Sequence, residues 1–247
     1  MESFTFLVLT YNHAELVTEN LDSIKSVVEK YGNDRKISIL VADDCSKDST
    51  VEVVKGWFSS NGQLFDKLEL IIQEKNVGTI RNFYNAVKNV KTKEFLSIAG
   101  DDKYNCKDIF SFYEGLSDGI TITPCTLFGE DSELKGRLKR NYYFVKHLKS
   151  TKMIKKMMKY DNLFMAPGVF LNAKYYRDPI LWKRLLKFKL IEDYPSWRYF
   201  LDEKGLECFV EDKEYVAYRL GSGVSTKIDK ESIFYKDNKK MIKKYKI

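Results

Sequence analysis

Ile37-Ser38-Ile39-Leu40-Val41-Ala42-Asp43-Asp44-Cys45-Ser46-Lys47-Asp48 sets a nearly unbroken apolar run against three carboxylates. A short run from Ile37 to Ala42 with little alternation suits a strand buried on both faces, as in a parallel sheet. Asp43 to Asp48 then reads as a polar loop, and Ser49 to Phe58 as a helix. The same unit recurs on either side. Phe4 to Leu9 reads as a strand, followed by Thr10-Tyr11-Asn12 and a helix from Ala14 to Tyr31, where Leu16, Leu21, Ile24, Val27 and Val28 fall at helical spacing. Leu68 to Ile72 is a third strand, Asn76-Val77-Gly78 a turn and Thr79 to Val90 a helix. Phe95 to Ile98 is a fourth strand, ending at Ala99-Gly100-Asp101-Asp102. Strands alternating with helices imply right-handed crossovers and a mostly parallel sheet, whose ligands lie beyond the carboxyl ends of the strands.

Two of those ends carry adjacent aspartates. Asp43, Ser46 and Asp48 also suit an Asx-turn and helix cap, the reading favoured for Asp48. Asp101-Asp102 reads differently, because neighbouring carboxylates repel unless a cation or hydrogen-bond donors compensate them. They are hard oxygen ligands of the kind that hold Mg²⁺ or Mn²⁺ and, through it, phosphate oxygens.

The order of these motifs resembles that of the family 2 glycosyltransferases, which have the GT-A fold. The resemblance rests on Thr10-Tyr11-Asn12, on Ala42-Asp43-Asp44-Cys45-Ser46-Lys47-Asp48, on Asn76-Val77-Gly78 with Arg81-Asn82, and on Gly100-Asp101-Asp102. It covers residues 4–104 and departs from the family where Cys45 replaces a glycine and Ala99 a further aspartate. It implies an α/β fold with a mostly parallel central sheet and flanking helices, in one continuous domain: a nucleotide-sugar-binding half (1–104), an acceptor and catalytic-base half (105–228) and a basic tail (229–247). It further implies that Tyr11 stacks on the nucleotide base with Thr10 beside it, that Asp44 accepts from the base, and that Asp43 supports the loop or ribose. Arg81 would reach base or phosphate, Asp101 the ribose or donor sugar, and Asp102 the metal ion, Mn²⁺ or Mg²⁺.

The family also needs a carboxylate to take the acceptor's proton, about 90 residues past the metal motif. Glu192-Asp193, ahead of a helix read from Pro195 to Lys204, fits; Asp193 is the expected base, with Glu192, its neighbour in the acceptor site, as the alternative. The pair also suits a helix start, with Pro in the first turn, and both roles can hold together. Direct attack with a single base implies inversion at the anomeric carbon. Ala166-Pro167-Gly168-Val169-Phe170-Leu171 resembles the stretch lining the acceptor cleft, or is a turn into a core strand. Tyr218-Arg219-Leu220-Gly221-Ser222-Gly223-Val224-Ser225 resembles the segment that closes over the diphosphate; with no histidine after His147, Arg219 or a serine would stand in. His13 and His147 are assigned no catalytic role.

The 247 residues carry a formal charge of +7, unevenly spread. Residues 1–102 hold 12 basic and 16 acidic side chains, the remainder 30 and 19. Lys135 to Lys159 holds ten basic residues and no acidic one, interleaved with Tyr142, Tyr143, Phe144, Met153, Met157 and Met158, and the tail adds Lys239, Lys240, Lys243, Lys244 and Lys246. Such stretches are either a solvated face or a surface for anionic lipid. The family's builders of bacterial surface polysaccharide imply a lipid-diphosphate-linked acceptor at the inner face of the cell membrane, and a cytoplasmic, peripheral protein. Cys45, Cys106, Cys125 and Cys208 lack CxxC spacing, and with no secretory leader read at the start they are expected to be reduced thiols. No apolar run approaches the ~20 residues of a membrane span.

A nucleotidyltransferase acting on a sugar phosphate would share the sheet and the metal, but would want a glycine-rich basic loop where Leu9-Thr10-Tyr11-Asn12 stands. A dinucleotide-dependent oxidoreductase would want G-x-G-x-x-G there. A basic protein binding nucleic acid or membrane without catalysis would leave both aspartate pairs without a purpose. The expected partners are thus a nucleotide sugar, best UDP-linked, and a saccharide acceptor, with no nucleic acid.

Overall fold

A computed structural model of the chain describes residues 2–130, 132–148, 150–221 and 233–245. Four strands, β1 (Ser3–Thr10), β2 (Lys36–Asp43), β3 (Lys67–Ile72) and β4 (Glu94–Ala99), form an all-parallel sheet in the order β3-β2-β1-β4. Helices α1 (Val17–Tyr31), α2 (Thr50–Asn61) and α3 (Thr79–Asn89) make the crossovers. The α/β expectation therefore holds, and each of the seven elements lies within three residues of its expected bounds.

The apolar runs of β1 and β2 face two cores, because successive strand residues point to opposite faces. Phe4, Phe6, Val8, Ile39 and Val41 pack with α1, α2 and α4 (Ile109–Glu114) through Val17, Leu21, Val54, Trp57 and Phe110. Leu7, Leu40 and Ala42 face the other side, where Ile80, Phe83 and Val87 of α3 lie. The second half builds onto that same side through α5 (Ser132–Leu148), α6 (Thr151–Met157), α7 (Pro179–Leu185), α8 (Asp193–Asp202) and α9 (Ile233–Tyr245). Tyr142, Ile154, Trp182, Trp197 and Met241, one from each of those helices, share a core with Leu7 and Leu40. The two halves thus share one hydrophobic core.

Short strands frame the second half. Strand β5 (Lys103–Tyr104) pairs antiparallel with β10 (Val216–Leu220), which runs parallel to β7 (Thr126–Gly129); β6 (Ile120–Ile122) lies between β8 (Val169–Phe170) and β9 (Cys208–Val210). Two expectations change. The helix expected from Pro195 begins at Asp193, which makes the proline its third residue, still within the first turn, where its missing N–H leaves no ladder bond unmade. The basic tail is in part a docked helix: Met241 is buried in the core and Asp237 is buried beside residues 189–190. Residues 222–232, including Ser222 to Ser225 of the expected diphosphate-closing segment, lie outside the described residues.

Candidate active site

Strand register gathers the motifs at one edge of the sheet. Thr10 is paired with Asp43, Asp43 with Ile72, and Leu9 with Ala99. The chain leaving β1, β2 and β4 therefore emerges side by side, with Tyr11, Asp44 and Asp101 all just beyond the last paired residues. Backbone bonds carry the alignment past the strands: Asp44 N–H donates to Thr10 O at 2.9 Å and Gly100 N–H to Leu9 O at 2.8 Å.

Asp43 and Asp44 divide the work of building this edge. Asp43 is fully buried and accepts from Thr10 Oγ1 at 2.8 Å, from Ser46 N–H at 2.7 Å and from Ser46 Oγ at 2.5 Å. It holds the β1 and β2 loops together, and Thr10 stands behind it with its hydroxyl committed. Asp44 reaches the other way and accepts from Val77 N–H at 2.7 Å and Gly78 N–H at 2.9 Å. It thereby pins the Asn76-Val77-Gly78 turn to the end of β2. Burial, the largest influence, raises the Asp44 pKa from its ordinary value, and those two N–H groups oppose it. Asp48 accepts from Thr50 N–H and Oγ1 and from Ala14 N–H, which is the loop-bracing part expected of it. Tyr11 stays 39% exposed, and Arg81 is exposed on the first turn of α3.

The Gly100-Asp101-Asp102 turn is held from behind by Asn20, a buried amide on α1 that donates to Ala99 O at 3.1 Å and Asp102 O at 2.7 Å. Arg219 of β10 closes the front: its backbone N–H donates to Asp102 Oδ1 at 2.8 Å, its Nε to Asp101 O at 3.0 Å, and its Nη2 to Glu19 Oε2 at 2.9 Å. Asp101 and Asp102 are both buried. Burial first, and Asp101 second, raise the Asp102 pKa well above its ordinary value. Among the described residues no cluster of three or more His, Cys, Asp or Glu side chains forms a ready-made metal cage. The donor set nevertheless fits a divalent cation that completes its shell from a ligand's phosphates. The hard carboxylate oxygens of Asp101 and Asp102 sit together in a buried place, and both are of the type that could hold such an ion.

His13 belongs to this neighbourhood although its sequence context marked it only as a lone histidine. Its Nδ1 is buried without a hydrogen-bond partner, and burial lowers its pKa against the pull of Asp101, Asp48 and Asp43. Gly100 makes room for it: a Cβ there would lie 2.9 Å from that nitrogen and 2.8 Å from Thr10 Cγ2.

Glu192 and Asp193 open α8, half-buried and side by side. Burial raises both pKa values, and the charge of Asp193 raises Glu192 further. Asn162 Nδ2 donates to Asp193 Oδ2 at 2.7 Å, orienting that carboxyl, while Ser196 Oγ takes up Glu192 O. Asn162 is a single amide outside any motif, so nothing along the chain marks it. The pair is tied to the nucleotide side through Lys189, whose carbonyl accepts from Ile80 N–H at 3.5 Å and whose side chain lies against Gly78. Ala166-Pro167-Gly168 packs on the β6–β7 connection, where Gly168 O accepts from Thr123 N–H and Oγ1.

Solved structures share this fold. The Staphylococcus aureus TarS 1–349 fragment, crystallised with UDP, superposes with a TM-score of 0.64 at 18% identity, covering 98% of this chain and 64% of that one. The same fragment with UDP-GlcNAc matches at 0.64 and 17%, covering 98% and 65%. The mannosyltransferase PcManGT of Pyrobaculum calidifontis, in complex with GDP-Man and Mn²⁺, matches at 0.57 and 14%, covering 90% and 58%. The chain thus spans about two thirds of the length of the TarS fragment, and the likeness is one of fold, which is GT-A. No curated protein sequence matches it. The family described as Glycosyl transferase family 2 matches residues 5–178, a span holding every motif at the sheet edge, and the chain belongs to that family.

Proposed function

We propose that the protein is an inverting, metal-dependent glycosyltransferase that moves a sugar from a nucleoside-diphosphate donor, UDP-linked, to a saccharide hydroxyl. The observation that carries this reading is the convergence at one sheet edge of Tyr11, Asp44 and the Asp101-Asp102 pair, with half-buried Glu192-Asp193 joined to that edge through Lys189. TarS with UDP and UDP-GlcNAc supports the choice of nucleotide.

In this reading Tyr11 stacks on the base, Asp44 and Arg81 bind the nucleoside end, and Asp101 meets the ribose or sugar. Asp102 would hold Mn²⁺ or Mg²⁺, which when bound supplies Lewis-acid compensation of the charge on the departing diphosphate. The acceptor oxygen attacks C1 from the face opposite the diphosphate, the C1–O bond breaks with its electron pair leaving on the diphosphate, and Asp193 takes the hydroxyl proton. The raised pKa of Asp193 makes it a better base than an exposed carboxylate, and the Asn162 bond aims it.

The acceptor is lipid-diphosphate-linked, met at the inner face of a membrane. Tyr143, Phe144, Met153 and Tyr160 are exposed among Arg137, Lys139, Arg140, Lys152 and Lys156. Apolar tips set in basic surroundings suit an anionic lipid surface, each basic group adding ~1 kcal/mol. Among the described residues no helix is long and apolar enough to cross a membrane.

The test separates donor binding from transfer. Asp193→Asn keeps donor and metal affinity and loses about 10²–10⁴-fold in transfer, whereas Asp102→Asn loses metal-dependent donor binding as well. Glu192→Gln is milder than Asp193→Asn. A dead Glu192→Gln beside an active Asp193→Asn would move the base to Glu192, and full activity in both would remove residues 192–193 from the chemistry.

A further inference from the structure

Four residues ahead of Asp193 lies a segment that is fixed from two sides. Asp237, buried on α9, accepts with one oxygen from both Lys189 N–H at 2.8 Å and Leu190 N–H at 3.0 Å. Lys240, one turn further on, donates to Lys187 O at 2.8 Å and sits 5.2 Å from the centroid of the Phe188 ring. Met241 anchors the same helix in the core. On its other side the segment presses on the nucleotide-side turn. A Cβ added at Gly78 would lie 2.8 Å from both Lys189 Cγ and Lys189 O, and 3.4 Å from Lys189 Cε. The Lys189 side chain thus runs across the glycine, exposed to solvent, next to the N–H that Asp44 holds, and its charge is a minor influence against the burial-driven rise of the Asp44 pKa.

We propose that Lys189 forms a wall of the nucleotide pocket, contacting the nucleoside end of the donor, and that Asp237 positions it. This inference rests on the donor-binding reading above and adds to it a specificity-determining residue and the part played by α9. Sheet order sets which end of the donor is involved. Asp44 leaves β2 and the Asp101-Asp102 pair leaves β4, with β1 between them, so the two lie two strand spacings apart, about 10 Å. A ligand whose diphosphate sits at the Asp101-Asp102 end extends its nucleoside toward Asp44, and Lys189 is beside Asp44. An ammonium offers only donors, so its partners there are the oxygens of base or ribose. The arrangement also gives Gly78 a reason beyond its backbone angle: any side chain would displace Lys189 from the turn.

Titration calorimetry with UMP and UDP, with and without Mn²⁺, tests this on the whole chain. Lys189→Met keeps the aliphatic stem and removes the charge at an exposed position, so the fold stays intact. It should weaken UMP and UDP by the same factor, about tenfold, whether or not Mn²⁺ is present. Asp237→Ala should reproduce that loss, and Asp237→Asn, which retains an acceptor oxygen, should restore most of the affinity; Asp237→Ala combined with Lys189→Met should be no weaker than Lys189→Met alone. Unchanged UMP affinity in Lys189→Met, or a loss confined to UDP, overturns the inference while leaving the donor-binding reading in place. A parent protein that binds neither nucleotide overturns both. If Asp237→Ala and Asp237→Asn lose affinity equally, or Asp237→Ala weakens the Lys189→Met protein further, Asp237 does not act through Lys189.

Discussion

Gly78→Ala should destabilise the protein by about 3 kcal/mol and weaken nucleotide binding with it. Gly78 sits at φ +86° and ψ 156°, a region that essentially only glycine occupies, and holding alanine there costs about 1–3 kcal/mol. The new Cβ would also lie 2.8 Å from Lys189 Cγ and from Lys189 O. The side chain can swing aside. The carbonyl cannot, because its peptide is tied to Asp237 on one side and to Ile80 N–H on the other, and overpacking of that kind costs about 1–3 kcal/mol. The two ranges sum to about 2–6 kcal/mol; at about 3 kcal/mol the loss is smaller than the 5–15 kcal/mol that keeps a domain folded, so the variant folds. At about 2–4 °C per kcal/mol for a chain of this size, its melting point should fall by about 6–12 °C. Because Asp44 holds the turn through Gly78 N–H, UDP affinity should fall too. Gly56→Ala is the control: it lies in α2 with nothing within 4 Å of an added Cβ, and should stabilise by about 0.4–1 kcal/mol. A Gly78→Ala protein that melts with the parent and binds UDP equally would refute both the packing argument and the part given to this turn.

Asp44→Ala and Arg81→Ala should each weaken UDP binding without any sugar present; normal affinity in both would remove β2 and α3 from the donor pocket. Glu192 holds its proton more tightly folded than unfolded, so its contribution to stability is full below the ordinary carboxylate range and is lost as pH rises through its raised folded pKa. Glu192→Gln should therefore melt above the parent at pH 8, with the gap closing toward pH 4; a gap that is constant with pH contradicts the buried-carboxylate description. Binding to anionic vesicles should fall steeply between low salt and 0.5 M, since exposed charges are screened over about 10 Å already at 0.1 M, and should weaken when Arg137, Lys139 and Arg140 are changed together to Gln. No sedimentation with such vesicles at low salt would count against the membrane setting.

The first hundred residues are legible because local and global signals agree there. Each apolar run is short, each is followed by helical spacing, and the parallel register then forces Thr10, Asp43 and Ala99 to a common edge. Cys45 shows what a motif alone leaves out. It stands where the family has glycine and adopts φ +62°, so the loop keeps a glycine-like backbone at the cost of strain. The second half is less legible because its partners are distant in sequence. Asn162 aims Asp193 across 31 residues and Asp237 caps a segment 47 residues earlier, each a single polar residue without a motif. The lysine-rich tail is the clearest case. Its composition suggests a solvated strip, whereas Asp237 and Met241 are buried and Lys240 bonds back to Lys187 O, contacts that charge counting passes over. Arg198 is similar: it sits among the residues after Asp193 yet is 1% exposed, paired with Asp202 and bonded to Lys155 O, so it holds α8 against α6.

The central claim is that this sheet edge binds a nucleotide sugar through a metal ion and releases its nucleoside diphosphate. Incubating the protein with a panel of UDP-, GDP- and dTDP-sugars, with Mn²⁺ or with chelator, and measuring nucleoside diphosphate released without an acceptor, tests it directly. Slow, Mn²⁺-dependent release of UDP from one UDP-sugar, abolished in Asp102→Asn and by chelation, is the expected result. Release that is indifferent to metal and to Asp102, or no binding or turnover of any donor in the panel, would contradict it.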